Sequence, residues 1–129
     1  MPDYLLDTNI LIRHFRRHQP TTDLMAALIL DGEAGVSAIT RIEMIQGMRE
    51  HERNKTLELL NSLAPYDLDS AIADLSGEYI RYYRTQGMTL AIPDAVIAAT
   101  AVRYNLILVT YNAKHFPMTE LRLYKELPL

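Results

Sequence analysis

The amino-acid sequence predicts an α/β fold with a central, mainly parallel β-sheet. Short apolar runs of strand length alternate with helical patterns along the chain, and no internal repeat, low-complexity tract or linker interrupts them. Polar residues follow directly on the first strand-like run and on the most apolar of the later runs. Such alternation is typical of folds in which helices cover a parallel sheet. The 129 residues suit one domain, so we predict a single domain over residues 1–129.

In the N-terminal half, apolar spacing and capping residues define the elements. An apolar run ends at Asp7, and the apolar residues after it recur at helical spacing. Pro20 is expected to interrupt the chain, so that Thr21 or Thr22 caps the next helix. The predicted elements are a strand at 4–6, a helix from Ile10 to Phe15, a helix from Met25 to Leu30, a strand near Val36, a helix opened by Ser37 or Thr40 and reaching Met48, and a helix at 52–63.

In the C-terminal half, Gly, Pro and Asp residues mark the ends of the elements. Asp69 caps a long helix that Gly87 ends, and Pro93 stands where the first turn of a helix tolerates proline. The predicted elements are a short strand at 64–66, a helix at 70–86, a helix at 94–104, a buried strand at 106–109 and an edge strand at 121–124.

Polar side chains follow two of these strands. Asp7 comes directly after the first strand, and Thr110 and Asn112 follow the strand at 106–109. In open parallel sheets, functional groups gather beyond the carboxyl ends of the strands. We therefore expect these two strand ends to lie on the same edge of the sheet.

Composition excludes several classes of protein. The chain has no Cys, which excludes disulfides, thiolate metal sites and cysteine nucleophiles, and suits a reducing compartment. The N-terminal apolar run is too short and too acidic for a signal peptide, and no run approaches the roughly 18 apolar residues of a membrane span. The net charge of −3 argues against a large phosphate-tracking surface, but a cation bound in an acidic pocket reverses the sign locally. We expect a soluble, cytoplasmic protein.

Three acidic residues stand in otherwise apolar segments that are far apart in sequence. Asp7 lies in LLDTNILI, Glu43 in AITRIEMIQGM and Asp94 in LAIPDAVIAATAV. Each alone has a plain structural explanation: Asp7 as a helix cap, Glu43 as an exposed residue of an amphipathic helix, and Asp94 as an acid favoured near a helix N-terminus. Together, three buried carboxylates would repel one another, and a divalent cation removes that conflict.

A metal site made of carboxylates has a definite chemistry. Hard oxygen ligands favour Mg²⁺ or Mn²⁺. The metal polarises a phosphoryl oxygen and lowers the pKa of a bound water, and two metals about 3.5–4 Å apart stabilise both the attacking and the leaving oxygen. Such a site needs no Ser or His nucleophile. We therefore predict that Asp7, Glu43 and Asp94 hold a catalytic metal that serves phosphodiester hydrolysis.

Positive charge is concentrated in one short segment. Arg13, Arg16 and Arg17, together with His14 and His18, lie near the end of the first predicted helix. A solvated helix end explains this cluster, because cations are favoured near helix C-termini. The alternative is that the three arginines contact RNA phosphates or a partner protein.

Four segments of the chain, in order, resemble the PIN-domain nucleases, and most closely the VapC-type toxins of toxin–antitoxin pairs. The segments are LLDTNILI, SAITRIEMIQG, IPDAVIAATA and LILVTYNAKHF. The resemblance implies a three-layer α/β/α sandwich, dependence on Mg²⁺ or Mn²⁺, and endonucleolytic cleavage of RNA. It also implies that Asp7, Glu43 and Asp94 are the family's three acidic metal ligands.

The resemblance further implies supporting roles for polar neighbours. Thr8 and Asn9 match the polar pair after the first acid, where they would orient Asp7 or hold water, and Thr110 matches a hydroxyl after the fourth strand. The family often has another acid in the following turn, at the positions filled here by Asn112 and His115. Asn112 can contact a water on the metal, and His115 can accept a proton, contact phosphate, or be a plain loop residue.

The resemblance also implies partners. Proteins of the VapC type pair as homodimers and are silenced by a small antitoxin whose tail folds on binding. Apolar residues that would supply a dimer face or an antitoxin groove, unless they simply pack in the core, are Ile29, Leu30, Tyr79, Tyr82, Tyr83 and Met88.

Two other functions stay open from the sequence. The missing acid, at Asn112 or His115, and the net negative charge suit a catalytically weak or inactive PIN-like module that binds RNA or protein. A metal-dependent phosphatase with Asp7 as nucleophile is a third possibility. Its weakness is that DTN has no second Asp, two residues on, to act as acid and base.

Overall fold

A five-stranded sheet, parallel throughout, lies at the centre of the computed structural model, which describes residues 3–128. The ends of the predicted domain, Met1, Pro2 and Leu129, lie outside the described residues. The strand order is β3-β2-β1-β4-β5. The strands are β1 (Asp3–Leu6), β2 (Glu33–Ser37), β3 (Ala64–Tyr66), β4 (Ile107–Val109) and β5 (Arg122–Leu123).

Helices cover both faces of the sheet, so the predicted three-layer α/β/α sandwich is confirmed. Leu5 points into a cluster with residues of the fifth and sixth helices, whereas Tyr4 and Leu6 point into a cluster with residues of the first four. Alternation along β1 therefore supplies both cores, as expected of a strand buried on two faces. The helices are α1 (Thr8–Phe15), α2 (Gln19–Asp31), α3 (Ala38–Gly47), α4 (Arg53–Ser62), α5 (Ser70–Thr85) and α6 (Ile92–Arg103).

Capping residues set several helix ends as the sequence predicts. The Ser37 side chain accepts a hydrogen bond from the Ile39 amide at the start of α3. The carboxylate of Asp69 accepts one from the Ile72 amide at the start of α5, over 2.9 Å. Gly87 has a φ of +78°, a left-handed conformation that a glycine adopts without strain and that ends α5.

The predicted start of α2 is wrong. The helix begins at Gln19 and includes Pro20 in its first turn, where a missing backbone N–H costs nothing. The threonines expected to cap it pair with histidine rings instead. The Thr21 hydroxyl lies 2.6 Å from Nδ1 of His18, and the Thr22 hydroxyl lies 2.8 Å from Nδ1 of His14.

The C-terminal edge of the sheet forms as predicted. β5 pairs with β4 in parallel, with Leu123 opposite Leu108. Asn105, with a φ of 55°, makes the left-handed turn between α6 and β4. Within residues 3–128, no helix is both long and apolar enough to cross a bilayer.

A hydrogen bond between Tyr79 of α5 and Glu120 should make stability depend on pH. The Tyr79 hydroxyl donates to the Glu120 carboxylate and thereby lowers the pKa of Glu120. An acid whose pKa is lowered by folding stabilises the fold above its unfolded pKa, and this contribution is lost as the pH falls through the folded pKa. We expect Tyr79→Phe to cost about 1 kcal/mol at pH 7 and less below pH 4.

Urea unfolding of both proteins at pH 7 and pH 3 checks this expectation. Tyr82→Phe is the matched control, because Tyr82 is exposed on the same helix. A Tyr79→Phe deficit that is the same at both pH values would show that the charge of Glu120 does not contribute.

Candidate metal centre

Asp7 and Thr110 meet beyond the carboxyl ends of two neighbouring strands. β1 and β4 pair with Leu6 opposite Val109, and the Asp7 amide donates to the Val109 carbonyl over 2.9 Å. The Thr110 hydroxyl then donates to Oδ2 of Asp7 over 2.7 Å. The prediction that these strand ends share one edge of the sheet is therefore confirmed.

The carboxylate of Asp7 is buried and held on both oxygens. Its Oδ1 accepts from the Thr8 amide over 2.7 Å, which also caps α1. Its Oδ2 accepts from Thr110 and, over 3.2 Å, from Nδ2 of Asn9. With 5% of its surface exposed, the side chain is fixed among donors rather than solvated. Asp7 is therefore both the N-cap of α1 and a polar group at the carboxyl end of β1.

Burial raises the pKa of Asp7 above the usual range of an aspartate. Hydrogen bonds from Thr110 and Thr8 oppose the effect of burial, while the charges of Asp94 and Glu43 add to it. Asp94 and Glu43 thus both lie close enough to Asp7 for their charges to act on it. A cation bound among them would relieve this repulsion.

Glu43 reaches the site from α3 through Thr8. The Thr8 hydroxyl, at the start of α1, donates to Oε1 of Glu43 over 2.7 Å. The same hydroxyl lies 3.0 Å from the buried Thr40 hydroxyl. Thr8 therefore links the helix that follows Asp7 to the helix that carries Glu43.

Asp94 lies in the first turn of α6, which agrees both with an acid that is favoured near a helix N-terminus and with the predicted metal ligand. Its Oδ2 lies 3.4 Å from Nδ1 of His115, and 25% of the Asp94 side chain is exposed. Burial raises the pKa of Asp94, and the neighbouring His115 opposes that rise. His115 is thus brought to the site as a partner of Asp94.

The donor set fits a hard divalent cation in its chemistry. Asp7, Glu43 and Asp94 offer only oxygen, the ligand that Mg²⁺ and Mn²⁺ prefer. Across residues 3–128, however, no three His, Asp or Glu side chains gather closely enough to hold an ion among themselves. Mg²⁺ commonly uses one or two carboxylates and retains several waters, so a closed three-acid cage is not required.

Asn9 and Asn112 take different positions around Thr110. Asn9 donates to the Thr110 hydroxyl over 3.3 Å and accepts from the Tyr111 amide over 3.3 Å, which ties α1 to the turn after β4. The Asn112 amide nitrogen of the backbone donates to the Thr110 hydroxyl over 2.9 Å, and its side chain is exposed. Asn9 therefore positions the site, while the side chain of Asn112 points to solvent.

The three arginines of the cluster have different surroundings in the fold. The guanidinium of Arg13 lies over the ring of Tyr111, 3.7 Å from its centre, directly after Thr110. Arg16 and Arg17 are exposed at the end of α1. Arg16 also lines a cavity of about 300 Å³ that Glu43 borders. Arg13 is thus engaged with an aromatic ring near the site, and Arg16 opens onto the same cavity as Glu43.

Two residues near the site were missed from the sequence. Arg49 lines the cavity that contains Arg16 and Glu43, and no local motif marks it. Thr40 was considered only as a helix opener, although it stands three residues before Glu43. Residues at that spacing share one face of a helix, which is the signal that could have identified Thr40.

Known proteins define the class to which this fold and site belong. A family model described as "PIN domain" matches residues 4–119. The chain therefore belongs to the PIN-domain family, and the resemblance seen in the four sequence segments is confirmed.

Individual relatives narrow the similarity further. Ribonuclease VapC10 of Mycobacterium tuberculosis is 35% identical over 116 residues, covering 90% of this chain and 87% of the relative. Ribonuclease VapC19 of the same organism is 36% identical over 116 residues, covering 88% and 92%. The solved structure of VapBC-1 from nontypeable Haemophilus influenzae shares 26% identity and a TM-score of 0.79, covering 95% of this chain and 96% of its own.

Proposed function

We propose that this protein is a metal-dependent endoribonuclease and the toxin component of a type II toxin–antitoxin system. The observation that carries the proposal is the buried Asp7 carboxylate at the β1–β4 edge, acted on by the charges of Glu43 and Asp94. Membership of the PIN-domain family and relatives named as ribonucleases support it.

The proposed metal ligands are Asp7, Glu43 and Asp94, with Mg²⁺ or Mn²⁺ as the ion. When bound, such an ion polarises a phosphoryl oxygen and lowers the pKa of a water, which is the chemistry that phosphodiester hydrolysis needs. The matching of three oxygen ligands to a hard cation supports this assignment.

The neighbouring side chains keep these carboxylates in place. Thr110 and Asn9 donate to one oxygen of Asp7, so that its plane is fixed relative to the sheet. The Thr8 hydroxyl directs Glu43. His115 lies next to Asp94, and we propose that it fixes the orientation of the Asp94 carboxylate. Donors that hold ligands in one orientation contribute to metal affinity without touching the ion.

The substrate and partners complete the proposal. Arg13, Arg16 and Arg17 are proposed to contact RNA phosphates or the antitoxin. The protein is proposed to form a homodimer and to be inhibited by a cognate antitoxin. We also propose that it acts in the cytoplasm and that residues 1–129 form a single domain. Ile29, Leu30 and Tyr82 are exposed and suit a protein–protein contact, whereas Tyr79 is buried.

Incubation with structured RNA tests the central claim. We expect cleavage products in Mg²⁺ or Mn²⁺, no products after addition of a chelator, and recovery when Mn²⁺ is restored in excess. Denaturing gels of several RNAs provide the measurement. Products that persist at the same rate in chelator would contradict metal dependence.

A second candidate is a module that binds RNA without cutting it. Two observations favour it: the turn after β4 has Asn112 and His115, neither of them a carboxylate, where the family often has an acid, and residues 3–128 contain no closed group of three metal-ligating side chains. Binding of several RNAs without products in any metal would favour this function over the nuclease.

A further inference from the structure

The hydroxyl of Thr40 is fully buried and has one partner. Thr40 lies in the first turn of α3, with none of its surface exposed. Its Oγ1 lies 3.0 Å from Oγ1 of Thr8, the one hydrogen-bond partner of this side chain within residues 3–128. Among the described residues, the Thr40 hydroxyl makes no hydrogen bond to any of the three proposed metal ligands.

The direction of the hydrogen bonds follows from the number of protons. A threonine hydroxyl has one proton to donate and lone pairs that accept. Thr8 is 2.7 Å from Oε1 of Glu43 and 3.0 Å from Thr40, and a carboxylate oxygen accepts. The Thr8 hydroxyl is placed to donate to either oxygen but has one proton, and when that proton goes to Glu43 the oxygen of Thr8 can accept the proton of Thr40.

The Thr40–Thr8–Glu43 hydrogen bonds form a relay between two helices that position different proposed ligands. Asp7 is the N-cap of α1, which begins at Thr8, whereas Glu43 lies on α3 one turn after Thr40. Thr40 and Glu43 approach Thr8 from the same face of α3. The relay thus connects the position of Glu43 to the N-terminus of α1, and so to Asp7.

We propose that Thr40 is a positioning residue, which fixes the rotation of the Thr8 hydroxyl and thereby the orientation of Glu43. The inference rests on the proposed metal site, because it gives Thr40 a task only if Glu43 is a ligand. Thr40 contacts neither ion nor substrate in this role.

Calorimetric titration with Mn²⁺ tests the inference without relying on activity. Thr40→Val keeps the shape of the side chain and removes the hydroxyl, and we expect Mn²⁺ affinity to fall roughly 10-fold. Thr40→Ser keeps the hydroxyl and should restore affinity to near the parent value. Thr100→Val is the matched control, because the buried Thr100 hydroxyl donates to the Val96 carbonyl within α6. It should bind Mn²⁺ as the parent does.

The outcomes separate the inference from the proposed function. If the parent binds no Mn²⁺, the metal site is wrong, and the role of Thr40 fails with it. If the parent binds Mn²⁺ and Thr40→Val binds it equally well, only the role of Thr40 is wrong. An affinity loss in Thr40→Ser as large as in Thr40→Val would also overturn it, since the hydroxyl would not be the cause.

Folding is monitored for each variant by circular dichroism and thermal unfolding. If Thr40→Val does not fold, Thr40→Ala replaces it with the same expected loss of Mn²⁺ affinity. With RNA as substrate, a positioning role predicts a lower kcat with little change in KM.

Discussion

Asp7→Asn is expected to abolish RNA cleavage, with a loss of at least about 100-fold in kcat, the scale for losing one electrostatic group at a reacting centre. Asparagine keeps an oxygen that can accept from the Thr8 amide, so the cap of α1 is retained. The substitution removes the negative charge of the carboxylate that we propose as the central metal ligand. Cleavage is measured in Mg²⁺ and in Mn²⁺, each at saturating concentration.

The same substitution should change how stability depends on pH when no metal is present. Burial and the charges of Asp94 and Glu43 raise the pKa of Asp7, so ionisation of this carboxyl destabilises the folded parent as the pH rises from its unfolded pKa through its folded pKa. Asparagine does not titrate, although its NH2 group cannot accept the hydrogen bonds that Thr110 and Asn9 donate to Oδ2. In chelator, the variant should therefore gain stability relative to the parent between pH 4 and pH 7, and a constant difference would show that the charge of Asp7 does not oppose folding.

Asp69→Asn is the control for this experiment. Asp69 caps α5, and asparagine is an equally good cap, so both the fold and the cleavage rate should persist. If Asp7→Asn cut RNA at the parent rate, Asp7 would not be a catalytic ligand. If both variants lost activity, the effect could not be attributed to the β1–β4 edge.

Gly35→Ala is expected to lower the free energy of unfolding by about 1–3 kcal/mol, the usual cost of forcing an extra methyl group into a packed site. Gly35 lies in β2, between Leu5 of β1 and Ala64 of β3. A Cβ at this position would overlap the ring of Tyr66 and lie 2.8 Å from the Ala64 carbonyl oxygen. The ring can turn, but the carbonyl belongs to the neighbouring strand.

Gly77→Ala provides a control of opposite sign. Gly77 is exposed inside α5, and a Cβ there would meet no atom within 4 Å. Alanine in a helix interior is favoured over glycine by roughly 0.5–1 kcal/mol, so this variant should be more stable than the parent. Urea unfolding of both variants provides the comparison. Equal stability of Gly35→Ala and the parent would mean that β2 and β3 separate easily.

Local signals in the sequence were enough for much of the fold. Alternation of apolar runs predicted the parallel sheet, and the polar residues after two runs predicted the shared edge of Asp7 and Thr110. Asp69 and Gly87 predicted both ends of α5 because capping and left-handed turns depend on neighbouring residues alone. These are features that a short window of sequence contains.

Other features depend on contacts between distant segments and were not predictable. Pro20 can interrupt a helix or stand in its first turn, and the sequence around it did not decide between the two. The Thr40–Thr8 and Asp94–His115 contacts join residues on different elements, and the strand order that brings them together is not written in any local pattern.

The separation of Asp7 and Thr110 has a consequence for synthesis on the ribosome. They are 103 residues apart and must meet for the Asp7 carboxylate to be held. At about 5–20 residues per second, Thr110 is added roughly 5–20 s after Asp7. A nascent chain therefore cannot assemble this edge until most of it has been made, and a chain cut short before β4 would lack it altogether. Under the proposed function, a growing chain that lacks this edge would also lack the site that cleaves RNA.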